Sequence, residues 1–315
     1  MEQDKKSKKI MLFTGIALAV LCAAGIAAGT VIDIDIAQAV YSPDSVFWRV
    51  ITIAGMYPYM AVWVLYMGVI CRQVRSSDIS KGKKTAWTVV CFYLGLSTSV
   101  VCSWAMFAPD TIGGVFPAAI NNPAAITAGA VFGVYPLFFL GLFTSKKEYD
   151  KRLLKRLIAL CVLMLAALCV MSAMKMFFSR PRYRLLIQEI PGVEFQPWYI
   201  PFAGANGFIT GMDIDWNDLR SFPSGHALQC MGLIFALPPI AEIYDRLRNM
   251  KTLLFAAAAV FAVLVCVSRM VMGAHFLSDV SMGSLLAVIC GFIWFLYVMT
   301  DRVRSSDRIR PAAKE

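Results

Sequence analysis

The sequence predicts an all-α fold, a polytopic membrane helix bundle of about eight transmembrane helices. Two observations carry that fold class. Apolar runs of roughly 18 or more residues, enough to cross a bilayer as helix, recur along the chain. Basic residues also gather in alternate connections between those runs. The composition agrees: of 315 residues 59% are hydrophobic and 16% charged, and the mean hydropathy is +0.66. Backbone groups inside lipid must be paired within the chain, so each run is a helix rather than an isolated strand.

Taken in order, the runs lie at about 10–32, 50–71, 86–107, 124–144, 154–176, 226–243, 252–270 and 280–299. The first opens on a basic stretch like that of a signal peptide, but its apolar run exceeds a typical signal core. A retained anchor is expected, although the A-x-A-like text around Cys22–Gly25 also suits cleavage. Asp33 and Asp35 close this run, where a carboxylate is expected to reach water. Runs one to four carry no evident chemistry, and Asn121-Asn122-Pro123 reads as a turn ahead of the fourth. The sixth is the shortest, with Pro238-Pro239 near its inner end.

The net charge of +10 does not point to nucleic acid, because the cations are sorted by side. Twenty-three of the 30 basic residues fall at 5–9, 72–84, 146–156, 246–251 and 302–314, all on one side of an alternating eight-span path. The positive-inside rule makes that side cytoplasmic, with both termini there. The other seven are Arg49, Lys175, Arg180, Arg182, Arg184, Arg220 and Arg269. Six of them lie between Lys175 and Arg269, as do His226 and, just beyond, His275, the only two histidines. An anion held at the outer face is the expectation.

Nine cysteines all lie within apolar runs and show no metal-ligand spacing, so they read as small packing residues. No metal and no cofactor is expected. The outer connection of about 183–222 interleaves prolines with Trp198, Tyr199, Phe202, Phe208 and Trp216, which suits an interfacial belt or a lid beside a site. Asp213, Asp215 and Asp218 lack the pattern of a calcium loop and read as a solvated acidic turn.

Three clusters call for one explanation. They are "KMFFSRPR" (175–182), "PSGH" (223–226) and "SRMVMGAHFLSD" (268–279), and the alternation brings all three to the same face. Their residue types suit phosphoryl chemistry, which is mostly positioning and charge stabilisation. Lys175 supplies a point charge, while Arg182 and Arg269 supply planar forks. Ser224 and Gly225 begin a helix, where free N–H groups favour an anion. Two histidines suit a nucleophile and a general acid. His275 and Asp279 are four apart, so one helix face would stack them and the carboxylate would fix the ring tautomer. Each piece also has a plainer reading: a serine N-cap, an interfacial histidine, lysine and arginine reaching for headgroups.

The order Lys175-x6-Arg182, Pro223-Ser224-Gly225-His226 and Ser268-Arg269-x5-His275-x3-Asp279 resembles the type 2 phosphatidic acid phosphatase superfamily, in its bacterial membrane branch. Arg180-Pro181 offers the family's Arg-Pro pair two residues early, so Arg180 stands beside Arg182 as a possible phosphate ligand. The resemblance implies metal-independent hydrolysis through a phosphohistidine. It makes His275 the nucleophile, Asp279 its orienting partner and His226 the acid and then the base. Lys175, Arg182, Ser224, Gly225 and Arg269 would bind phosphate. It spans about 150–300, which divides the chain into N-terminal helices (1–150), a phosphatase core (151–300) and a basic tail (301–315). The first two spans lie outside it.

The function expected is a lipid-phosphate or lipid-diphosphate phosphatase of the inner cell membrane, its site on the outer face and its partners a lipid substrate and the membrane. Undecaprenyl diphosphate, phosphatidylglycerophosphate and phosphatidate are the candidate substrates. A lipid phosphotransferase is the related alternative. An anion-lipid transporter is the third, disfavoured because spans one to four offer almost no ionisable residue at mid-membrane.

Overall fold

The computed structural model describes residues 2–112, 117–202 and 214–307. Phe208 and Asp213 of the outer connection, and Arg308, Arg310 and Lys314 of the basic tail, lie outside the described residues. Among the described residues eight helices are long and apolar enough to cross a membrane: Leu12–Val40, Val46–Ser76, Lys81–Met106, Pro123–Thr144, Lys151–Leu186, Gly225–Ile243, Asp245–Val271 and Leu277–Thr300, numbered here spans 1 to 8. The chain is therefore an all-α polytopic bundle.

Span 1 runs eight residues beyond its expected end, so Asp33 lies within it. Backbone geometry departs from helical at Ile32 (φ −120°, ψ 16°), which bends the helix one residue before that carboxylate. Asp33 does not reach water as expected. It is 1% exposed, whereas Asp35 is exposed. Span 2 is interrupted between Ala54 and Tyr57, ahead of Pro58, a residue that a helix tolerates only in its first turn.

Span 8 lies between spans 1 and 6, and small residues set both approaches. On span 1, Gly25, Gly29 and Asp33 recur every four residues and so share one face. A Cβ on Gly29 would stand 2.8 Å from the backbone nitrogen of Ser278, so only glycine lets the two backbones meet there. On span 8, Gly283 lies against the Ser224 carbonyl, and a Cβ there would also stand 3.3 Å from the Leu228 nitrogen. Close packing through glycine replaces the hydrophobic driving force that lipid does not supply. Phe138, Leu157, Met164, Leu228 and Ile234 fill the apolar interior.

Candidate active site

The second and third clusters are each shaped by a helix end. Ser224 caps span 6: it is extended (φ −74°, ψ 118°), fully buried, and its Oγ accepts from the Ala227 N–H at 3.3 Å. A hydroxyl that accepts this bond still has its own proton to donate. The plainer serine-cap reading and the anion-donor reading are thus compatible in one side chain. Gly225 follows in the first helical turn. A Cβ there would make only ordinary contact with Met171, at 3.5 Å, so the protein's own packing does not demand glycine at this position.

Span 7 ends at Val271, and the turn after it folds back. Gly273 sits in the left-handed region (φ 62°), which glycine enters without steric cost. The turn brings the Ala274 and His275 amides onto the Arg269 carbonyl, at 3.1 and 3.2 Å. Arg269 and His275 are therefore locked into one turn, both buried.

Span 8 then begins at Leu277, which corrects one expectation. His275 precedes the helix, so it and Asp279 are not stacked on one helical face. Asp279, in the first turn, reaches back to accept from the Phe276 N–H at 2.7 Å, the acidic half of a capping box. That cap carries its Oδ2 to 3.7 Å from the His275 Nδ1. Burial holds the His275 imidazole well below its usual pKa, and the charges of Lys175, Arg182 and Arg269 add to that effect against the opposite pull of Asp279. Burial thus disfavours protonation of this ring.

All three clusters meet on Asp279. From the first, Arg180 donates to Oδ1 at 2.6 Å. From the segment before span 6, the Ser221 hydroxyl donates to Oδ2 and the Ser224 N–H donates to the Asp279 carbonyl at 2.9 Å. From the third come His275 and Phe276. Asp279 itself is fully buried.

The two arginines of the first cluster differ. Arg180 is 1% exposed and its fork is taken up: Nη1 donates to Asp279 and to Ser278 Oγ (2.9 Å), Nη2 to Asp33 (3.0 Å), and Nε to the Gln196 carbonyl (2.7 Å). Its guanidinium also lies 4.2 Å from the Phe276 ring centroid. Arg182 binds Asn217 Oδ1 at 3.0 Å and lies 3.8 Å from Asp218. Lys175 donates to the Arg220 carbonyl at 2.5 Å. Among the described residues Asp218 is not part of a solvated turn, since it accepts from Arg184 Nε at 2.9 Å; Asp215 caps a short 3-10 turn. In the loop, Trp198 stacks on Phe222, while Tyr199, Phe202 and Trp216 are exposed.

Spans 1 and 2 also enter the site. Asp33 reaches Arg180 and Ser278. Thr52 donates to Ser268 Oγ at 3.1 Å. Gly55 abuts His226, with a Cβ there standing 3.1 Å from the ring Cδ2. The readings from sequence missed Asp33, Ser221 and Thr52. Only Asp33 left a signal, as an acid in register with Gly25 and Gly29.

A family model described as the PAP2 superfamily matches residues 156–303. Comparison with curated proteins and with solved structures finds no match.

Proposed function

We propose, from the premise that residues 156–303 belong to the PAP2 superfamily of phosphatases and phosphotransferases, that this membrane protein removes a phosphoryl group from a lipid phosphate or diphosphate through a phosphohistidine. The observation that carries this reading is the meeting of all three clusters on the buried Asp279, beside the buried imidazole of His275.

The chemistry follows from the arrangement. Nδ1 of His275 faces Asp279, which leaves Nε2 to attack phosphorus in line. As the N–P bond forms, the P–O bond to the lipid breaks and His226 gives its proton to the departing oxygen. His226 then takes a proton from water, which attacks phosphorus and breaks the N–P bond. Phosphate leaves and His275 is restored. The equatorial oxygens carry the charge, and preorganised donors there contribute most to the rate. Lys175, Arg182 and Arg269 supply charge, and the Ser224 hydroxyl with the N-terminus of span 6 supplies dipoles. Arg180 is assigned to the support of Asp279, since carboxylates and carbonyls already occupy its fork. Asp279 holds the tautomer and offsets the positive charge that develops on the attacking ring.

Placing the site on the outer face rests on the side-sorted cations. A site at a membrane surface suits a substrate with a buried tail and an anionic head. The test is phosphate release by purified protein in detergent, across undecaprenyl diphosphate, phosphatidylglycerophosphate and phosphatidate. At least one is turned over, with EDTA present and with vanadate inhibiting. A strict magnesium requirement, or no release from any of the three, would overturn the reading.

A further inference from the structure

We propose that Asp33, carried by the first span outside the family match, is a positioning residue for His275, acting through Arg180 and the start of span 8; this rests on the function proposed above. A carboxylate within a membrane-spanning helix is costly unless it is fully paired. Among the described residues both oxygens of Asp33 are paired with groups that support the nucleophile, Arg180 and Ser278. Oδ1 accepts from the Ser278 N–H at 2.9 Å. Oδ2 accepts from the Ser278 hydroxyl and from Arg180 Nη2 at 3.0 Å. The other terminal nitrogen of Arg180 grips Asp279 at 2.6 Å. Asp33 and Asp279 thus hold one guanidinium from both sides, and the Ser278 amide fixes the helix turn that carries Asp279.

Span 1 is built to deliver this group. Gly29 and Gly25 lie one and two turns before Asp33 on the same face; Gly29 admits the span 8 backbone at Ser278, and Gly25 admits the Ser281 side chain. The bend at Ile32 then turns the chain immediately before the carboxylate. A second tie lies one turn back, where Trp198 donates to Thr30 Oγ1 at 2.9 Å while stacking on Phe222 beside the Pro223–His226 segment. The first span therefore completes a site whose motifs all lie downstream of it.

Two effects follow when Asp33 loses its charge. Arg180 turns wholly to Asp279, so the carboxylate supports His275 less well. One negative charge near the imidazole also disappears, so the ring binds its proton less tightly. Asp33→Asn is therefore expected to lower kcat by about tenfold, the lower end of what is lost when the outer partner of a metal-ligating side chain is removed. KM should stay near the wild-type value, because Asp33 touches no substrate. The acid limb of the pH–rate profile should move to lower pH, and the alkaline limb should not move.

The experiment measures phosphate release from whichever of the three lipid phosphates the full-length wild type turns over best. It compares Asp33→Asn, Asp33→Glu and His275→Ala in detergent, with melting temperatures taken alongside. Asp33→Glu keeps the charge on a longer arm and should retain more turnover than Asp33→Asn; it also serves if the asparagine variant does not fold. A folded Asp33→Asn with wild-type kcat and an unmoved acid limb would overturn this inference alone, provided His275→Ala is dead. An inactive wild type would overturn the proposed function, and this inference with it.

Discussion

The Nδ1 of His275 stands 3.7 Å from Oδ2 of Asp279, beyond a hydrogen bond, because that oxygen already accepts from the Ser221 hydroxyl and from the Phe276 amide. The carboxylate is fixed by the protein first and offered to the imidazole second. Contacts of this kind commonly tighten when substrate binds. On the proposed mechanism the ring would close the gap as positive charge develops on it.

Asp279→Asn keeps the size of the side chain and an acceptor for the Phe276 amide, but it removes the charge that steadies the attacking ring. Turnover should fall by about a hundred-fold or more. Steady-state kinetics on the preferred lipid phosphate measures this. Wild-type kcat in a folded variant would show that the His275 contact is incidental.

Gly225→Ala separates fold from binding. A Cβ there meets only Met171 at ordinary contact distance, and the residue begins a helix, so the variant should melt near the wild-type temperature. Inside a phosphate cradle the added methyl would occupy the space of an oxygen, so KM should rise and kcat fall. Unchanged kinetics would remove the start of span 6 from the binding site.

Acid sensitivity follows from the burial of His275. Its pKa is held well below 6.5, and the reactive form is neutral, so lowering the value keeps more of that form as pH falls. The acid limb of kcat/KM should therefore lie below pH 6.5 once the separately measured ionisation of the substrate is removed. An acid limb above that value would assign the nucleophile's role to another group.

Gly273→Ala tests the turn that joins Arg269 to His275. An L-residue in the left-handed region costs roughly 1–2 kcal/mol, and here the new methyl would also stand 2.7 Å from the Tyr41 ring. Both stability and turnover should fall. A variant with normal turnover would show that His275 does not depend on the turn for its position.

Much of this molecule was legible in its sequence because the governing rules are local. Eight apolar runs became eight spans, since length and hydropathy alone decide crossing. Ser224 and Gly225 were readable as a helix start from their residue types. The pairing of His275 with Asp279 was readable as a contact but not as a geometry, because the four-residue spacing concealed a left-handed glycine and a helix that begins after the histidine. The separate duties of Arg180 and Arg182 depend on Asp33, some 150 residues earlier, and on Asp218 and Asn217 in the loop. No local spacing encodes such partners. The first span looked chemically empty for the same reason: its one informative carboxylate has meaning only against residues far along the chain.

The most direct test is to trap the intermediate. His226→Ala, mixed with a phosphate ester whose leaving group needs no proton, should form phosphohistidine and then lack the base that directs water to it. Base-quenched protein, digested and read by mass spectrometry, should carry the phosphoryl group on His275. A phosphoryl group on any other residue, or steady turnover by His275→Ala, would contradict the account.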